Sequence, residues 1–332
     1  MRTFKPVTVT MAIAVALLAM SGLAQAAPDW NDVPRKTIMV FYPGTASIEW
    51  AFGSPEHGGK RAIRKGETCA GCHTGEAVVM GNKMVTGKRL EPNAAAVKGK
   101  AGSIPVTVQA AYDATNLYLR FEWWQPPSAK GKRMDEKNAV KLTVMLDDHK
   151  VEYGALGGCW ASCHNDLRSM PDVDVNSPKH PRAKELDIRP DGPTKYLKES
   201  RTSLEMKNKP WGGWDKVKTE PEYTQLLKEG KFFEMWQFRS SEPPRAGYVL
   251  ESRRLQAAPG LAEGKYDGGA WTVTFTRPLA GGVGIHAIVP GKNYPIGFAI
   301  HDDYTNLRYH LVSLGTTLAL GDPKAGINAV KQ

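Results

Sequence analysis

Apolar and polar positions alternate with several different periods along the chain, and the changes of period divide it. Thr37 to Tyr42 (Thr-Ile-Met-Val-Phe-Tyr), ended by Pro43-Gly44, predicts a strand. Val106 to Tyr112 and Leu117 to Trp124 are β-branched and aromatic runs separated by Asp113-Ala114-Thr115-Asn116, which predicts an antiparallel hairpin. Val140 to Leu146 predicts a third strand, ended by Asp147-Asp148-His149. Phe232 to Phe238, Trp271 to Thr276, Tyr294 to His301 and Arg308 to Leu320 return to the same patterning. Nothing repeats at a fixed period. Short strands with turn signals and few helices predict a mainly β chain, an antiparallel β-sandwich with long loops.

Three stretches break this pattern. Val7 to Leu18 is one apolar run, preceded by Arg2 and Lys5 and followed by Ala24-Gln25-Ala26, the signature of a secretory signal. Its apolar core falls short of the ~20 residues that span a bilayer, so cleavage near Ala26 and a mature chain beginning at Ala27 are expected, with no stable membrane span. Glu56 to Met84 lacks strand periodicity and predicts short helices and loops packed on a bound group. Pro171 to Pro210 is rich in Pro, Lys, Asp and Ser, which predicts a long surface excursion. The expected organisation is a signal at 1–26, an N-terminal segment at 27–100, and a sandwich domain at 101–325 with the excursion near 171–210.

The chain has four cysteines, and two motifs use all of them. Cys69-Ala70-Gly71-Cys72-His73 has two residues between its cysteines and a histidine directly after the second, the spacing of c-type haem attachment. Each cysteine adds to one porphyrin vinyl group as a thioether, and the adjacent histidine places Nε2 under the iron. Gly158-Cys159-Trp160-Ala161-Ser162-Cys163-His164 has three residues between its cysteines, a bulge that leaves the same three bonds available. The expectation is two haem c groups, held covalently by Cys69, Cys72, Cys159 and Cys163, with His73 and His164 as proximal iron ligands. Disulfides within each motif would close only tiny loops and leave both histidines unexplained. A zinc site is the other alternative for Cys and His ligands.

The distal ligands come from the other six of eight histidines or from the eleven methionines. His57 lies twelve residues before Cys69 in a Gly-rich loop that can fold back over the first haem; Met80 and Met84 are its rivals. His301 and His310 flank Asp303 to Leu307, and a turn there would set them opposite each other on paired strands with the same facing. One of the two, His310 in preference, is expected to ligate the iron held by His164. His149 and His180 are weaker alternatives, Met170 reads as packing, and His286 has no assigned role. Trp160 and Trp123-Trp124 are candidates for packing on porphyrin faces.

Composition changes the picture little. Loss of Arg2 and Lys5 lowers the formal charge from +10 to +8, a basic excess compatible with steering toward an acidic partner protein. No basic block with interleaved aromatics points to nucleic acid. About 306 mature residues suffice for a large core. Export agrees with haem attachment, which takes place outside the cytoplasm, so a periplasmic location is expected.

The hairpin Ala110-Ala111-Tyr112-Asp113 through Asn116-Leu117-Tyr118-Leu119, the stretch Trp271 to Leu279 with Arg277-Pro278-Leu279, and Ile296 to Val312 resemble the haem-binding domain related to the γ subunit of ethylbenzene dehydrogenase. That domain is a β-sandwich similar to family 9 carbohydrate-binding modules, and the resemblance covers roughly residues 100 to 320. In the γ subunit the haem is non-covalent and held by Met and Lys; four haem-attaching cysteines set this chain apart as a dihaem c-type branch. The resemblance implies electron transfer between redox partners in a respiratory chain, among them a molybdenum-type oxidoreductase or other cytochromes. No Ser/His/Asp order, phosphate-cradling loop or HExxH motif is present, so a carrier or redox subunit is expected ahead of an enzyme. The alternatives are a haem enzyme or small-gas sensor with one five-coordinate iron, and a sugar-binding sandwich.

Overall fold

The computed structural model describes residues 27–43, 57–88, 99–126, 137–161, 197–200, 218–302 and 310–332. The expected signal at 1–26 and nearly all of the expected 171–210 excursion lie outside them. The described strands are β1 (Lys36–Phe41), β2 (Ser103–Tyr112), β3 (Asn116–Trp124), β4 (Lys141–Leu146), β5 (Phe233–Arg239), β6 (Arg245–Val249), β7 (Arg253–Ala257), β8 (Ala262–Asp267), β9 (Ala270–Pro278), β10 (Asn293–His301), β11 (His310–Ser313), β12 (Thr316–Leu320) and β13 (Ile327–Lys331). The helices are short: α1 (Lys60–Ile63), α2 (Cys69–Cys72), α3 (Ala77–Thr86), α4 (Gly154–Gly157) and α5 (Glu220–Lys228), with a 3-10 turn at Gly158–Ala161.

The strands join in the order β7-β6-β5-β4-β10-β11-β1-β2-β3-β9-β8, with β12 beside β10 and β13 bridging β12 to β2. The sheet doubles back, so that β3 and β9 face β10 and β5. Phe121 meets Phe298 with ring centres 5.1 Å apart, and Trp236 meets Phe275 at 6.2 Å. Both contacts bury aromatic area between the two layers of a mainly β sandwich. The sheet is mixed rather than wholly antiparallel, because β13 runs parallel to both β12 and β2.

The hairpin forms as expected: β2 pairs antiparallel with β3. Its turn is fixed by Asp113, whose carboxylate accepts the N–H groups of Thr115 (2.6 Å) and Asn116 (2.8 Å) and the hydroxyl of Tyr118 (2.6 Å). The run from Arg308 to Leu320 is broken into β11 and β12 around Gly315. β1 lies inside the sheet between β11 and β2, and β13 ends at Lys331, so sandwich strands come from both sides of the expected 101–325 span.

β4 and β10 are buried on both faces almost throughout. Inward, Leu142, Val144, Leu146, Ile296, Phe298 and Ile300 enter the core between the layers. Outward, Met145 and Ala299, with Phe41 and Val312, form a second apolar cluster with Ala77, Val151 and Cys159. This outer cluster also takes in Ile63, Ala77 and Met80, on either side of the first cysteine motif, so the segments that carry both motifs lie against this face of the sheet. α3 comes especially close, because a Cβ at Gly81 would collide with the Gly102 backbone just before β2.

Opposite this face, Arg277 and Glu234 tie β9 to β5. Arg277 donates Nε to Oε1 (2.9 Å) and Nη2 to Oε2 (2.7 Å), with both side chains 3% exposed. Glu234 also accepts from Trp236 Nε1 (2.6 Å) and the His286 N–H (2.8 Å).

The β4–α4 connection is held by Asp147, which accepts the N–H groups of Lys150 (3.1 Å) and Val151 (3.2 Å). Burial pushes its carboxyl up to about 6. A carboxyl raised in the folded state keeps its proton below that value, and its charged form costs stability above it. Relative to Asp147→Asn, the wild type should therefore lose up to about 3 kcal/mol as the pH rises from about 4 to 6, a gap read by denaturant unfolding at several pH values.

Candidate functional site

The first motif lies on one helical turn. Thr68 caps α2, its hydroxyl accepting the Gly71 N–H at 2.9 Å, and the His73 N–H closes the turn on Cys69 O at 2.8 Å. One turn of helix puts Cys69, Cys72 and His73 along one side of the chain, which is the reason for the motif's spacing. Cys69 is buried and Cys72 exposed, and neither is bridged. Burial pushes the Cys69 thiol up to about 11. Among the described residues no group of three or more His, Cys, Asp or Glu side chains gathers as a metal site.

His57 faces His73. Their ring centres are 6.1 Å apart and their planes differ by 34°. A metal about 2 Å from one nitrogen of each of two opposed imidazoles sets ring centres about 6 Å apart. The 6.1 Å separation matches that distance. Gly58-Gly59 allows the approach: a Cβ at Gly59 would stand 2.7 Å from His57 Cε1. The far side of His73 is also engaged, with Nδ1 2.8 Å from Glu76 Oε2. Of the rival methionines, Met84 packs against the core between the layers and Met80 against the outer cluster.

Cys159 is buried, on the 3-10 turn Gly158–Ala161. Glycines seat this turn on the sheet. A Cβ at Gly297 in β10 would lie 2.5 Å from Cys159 N, and one at Gly158, whose φ is +55°, would lie 2.6 Å from Gly315 Cα. Gly297→Ala should push the turn outward, lowering stability by about 1–3 kcal/mol, as thermal unfolding would show. Cys163, His164, Met170 and His180 lie outside the described residues.

His301 and His310 are register partners across β10 and β11. They share the outward facing of Ala299 and Val312, on the same side of the sheet as Cys159. Their rings stack, centres 4.7 Å apart at 16°. Stacked rings this close cannot clasp one iron from opposite sides, so no more than one of the two is placed to ligate a given iron. His301 is buried and His310 partly exposed. The end of β10 is fixed beside them by Asp302, which accepts Lys100 Nζ at 2.9 and 3.1 Å in a buried pair.

The remaining described histidines are engaged elsewhere. His149 sits in a turn with φ +56° and bonds Asn293 Oδ1 at 2.8 Å. His286 stacks on Phe232 at 4.2 Å and donates Nε2–H to Phe232 O at 3.1 Å; burial lowers its pKa, so it is a neutral core residue. Trp123 faces the core, stacked on Trp271, and Trp124 is 68% exposed. Neither meets the outer layer, so the expectation that they cover a porphyrin is not supported. α2 packs beside α4, which leads directly into the Cys159 turn, so the two attachment segments adjoin.

A family model described as ethylbenzene dehydrogenase matches residues 27–258. The chain belongs to the ethylbenzene dehydrogenase family. The match takes in both cysteine motifs and ends before Trp271 to Leu279 and Ile296 to Val312, two of the stretches that carried the resemblance in the sequence. Cytochrome c-552 of Stutzerimonas stutzeri is 42% identical over 324 residues, covering 96% of each chain. Cytochrome c-551 of Rhodocyclus tenuis is 32% identical over 309 residues, covering 92% of this chain and all of that one. Within the family the chain is thus an electron-carrier c-type cytochrome, and haem c is its implied cofactor. Among the described residues no helix is long and apolar enough to cross a membrane.

Proposed function

We propose that this cytochrome carries two haem c groups in the periplasm and passes single electrons between redox partners of a respiratory chain. Cys69, Cys72 and His73 would hold the first haem with His57 as its distal ligand. Cys159, Cys163 and His164 would hold the second, with His310 ahead of His301 opposite His164. The observation that carries the reading is the 6.1 Å opposition of His57 and His73. An iron clasped from both sides has no open position for substrate, so its chemistry is the exchange of an electron between Fe(III) and Fe(II). What the protein supplies is ligand identity, burial and placement. The packing of α2 on α4 supports two haems close enough to exchange electrons with each other.

Partners are expected to be proteins, a molybdenum-type oxidoreductase or another cytochrome among them, by analogy with the family. A redox titration with optical detection tests the reading. Two one-electron steps at low potential, with low-spin spectra that CO leaves unchanged, are expected. A reduced wild type that binds CO at one haem would instead favour the enzyme or sensor reading. His310→Ala and His301→Ala, examined by near-infrared and EPR spectroscopy, should separate ligand from stacking partner: the first should lose the bis-histidine signature of the second haem and the second should keep it.

A further inference from the structure

The Glu76 side chain is placed in an unusual way. Glu76 is the N-cap residue of α3, and, unlike the shorter Ser, Thr, Asp or Asn side chains that serve there, it makes no capping hydrogen bond, which leaves its carboxylate available to a neighbour. Its carboxylate turns back to His73, with Oε2 2.8 Å from Nδ1. The backbone holds the two at this reach: Glu76 N–H donates to His73 O at 3.1 Å, and Met80 N–H to Glu76 O at 2.8 Å. Thr74, between them, is committed to the preceding turn, its hydroxyl donating to Ala70 O at 2.6 Å.

We propose that Glu76 is a positioning residue for the first haem, fixing the His73 ring and lowering the reduction potential of the iron it ligates. This rests on the reading of His73 as an iron ligand. The hydrogen bond requires the proton on Nδ1, which leaves the Nε2 lone pair directed at the metal and fixes the ring's rotation about χ2. The carboxylate also makes the imidazole a stronger donor, and a stronger donor favours Fe(III) over Fe(II). One electron from a redox partner reduces Fe(III) to Fe(II), and the proton stays on Nδ1 in both states. The second motif continues after its histidine as Asn165-Asp166-Leu167, with leucine where the first has Glu76. The same residue type is absent from that spacing, so Glu76 acts on one haem of the two.

The test is a redox titration of the mature holoprotein and its Glu76→Gln and Glu76→Ala variants, with thermal unfolding followed in parallel. Gln keeps the size and an acceptor oxygen but not the charge. In both variants the ratio of oxidised to reduced first haem at a fixed potential should fall about tenfold, a rise of about 59 mV for a one-electron couple, with the second haem unmoved and the spectra low-spin. A purely structural carboxylate would lower the unfolding temperature and leave both potentials in place, and that result would overturn the proposal. A wild-type peptide bearing Cys69 and Cys72 without haem mass would instead overturn the haem reading itself.

Discussion

Replacing His57 by alanine should open the first haem to exogenous ligands. The reduced wild type is expected to be inert to CO; the variant should bind one CO per chain, with part of its oxidised spectrum turning high-spin. The effect is all-or-none because the opposing ring is the sole imidazole that the described structure brings within an iron's span of His73, at 6.1 Å. Met80 and Met84, partly buried, pack against the outer and the inner apolar cluster respectively. Gly59→Ala should give a weaker form of the same result, since its added Cβ meets the His57 ring. A low-spin, CO-inert His57→Ala protein would remove His57 from the coordination sphere.

The second large effect concerns the frame rather than the haems. Glu234→Leu should cost about 3–5 kcal/mol, because it strands the Arg277 guanidinium in a buried position and strips acceptors from Trp236 and from the His286 backbone. In a chain of this length that is a fall in unfolding temperature of roughly 10 °C. Removing both charges with Glu234→Leu and Arg277→Met should recover the part of the loss due to the stranded guanidinium, while the Trp236 and His286 donors stay without their acceptor. Chemical denaturation of the two single variants and the pair measures this directly. Haem content should stay at wild-type level in the pair, because the bridge lies on the inner side of the sheet and the attachment turns on the outer side.

The parts of this protein that were legible in its sequence are those set by local chemistry. Cys69 to His73 sets two thiols and an imidazole within one turn, a spacing visible in the sequence, and that turn is capped by Thr68. The β2–β3 hairpin was legible because Asp113 supplies the turn's acceptors from within four residues. The paired facing of His301 and His310 followed from strand alternation. Strands β7 and β8 were not legible: Arg-Arg-Leu-Gln-Ala and Ala-Glu-Gly-Lys-Tyr-Asp lie at the sheet's two edges, largely exposed, and show no apolar alternation. The insertion of β1 between β11 and β2 is a long-range pairing that no local pattern encodes.

Two features of the site had signals that are clear only with the structure in hand. Glu76 follows His73 by three residues, a reach that lets a carboxylate return to an imidazole, but an acidic residue at the start of a helix is ordinary for its favourable interaction with the helix dipole and draws no attention. Gly297 interrupts the apolar run of β10, and a glycine inside a strand marks the close approach of another backbone. Here that backbone is the Cys159 turn. Both signals concern what packs against the chain rather than what the chain forms, and periodicity carries only the latter.

The central claim is that one chain holds two covalent haems. Intact mass spectrometry of the exported protein under denaturing conditions addresses it most directly, because only thioether-bound haem survives unfolding. The account predicts the mass of the chain from Ala27 plus two haem groups, falling by one haem in Cys159→Ser with Cys163→Ser. A mass corresponding to a single haem on the wild-type chain would contradict it.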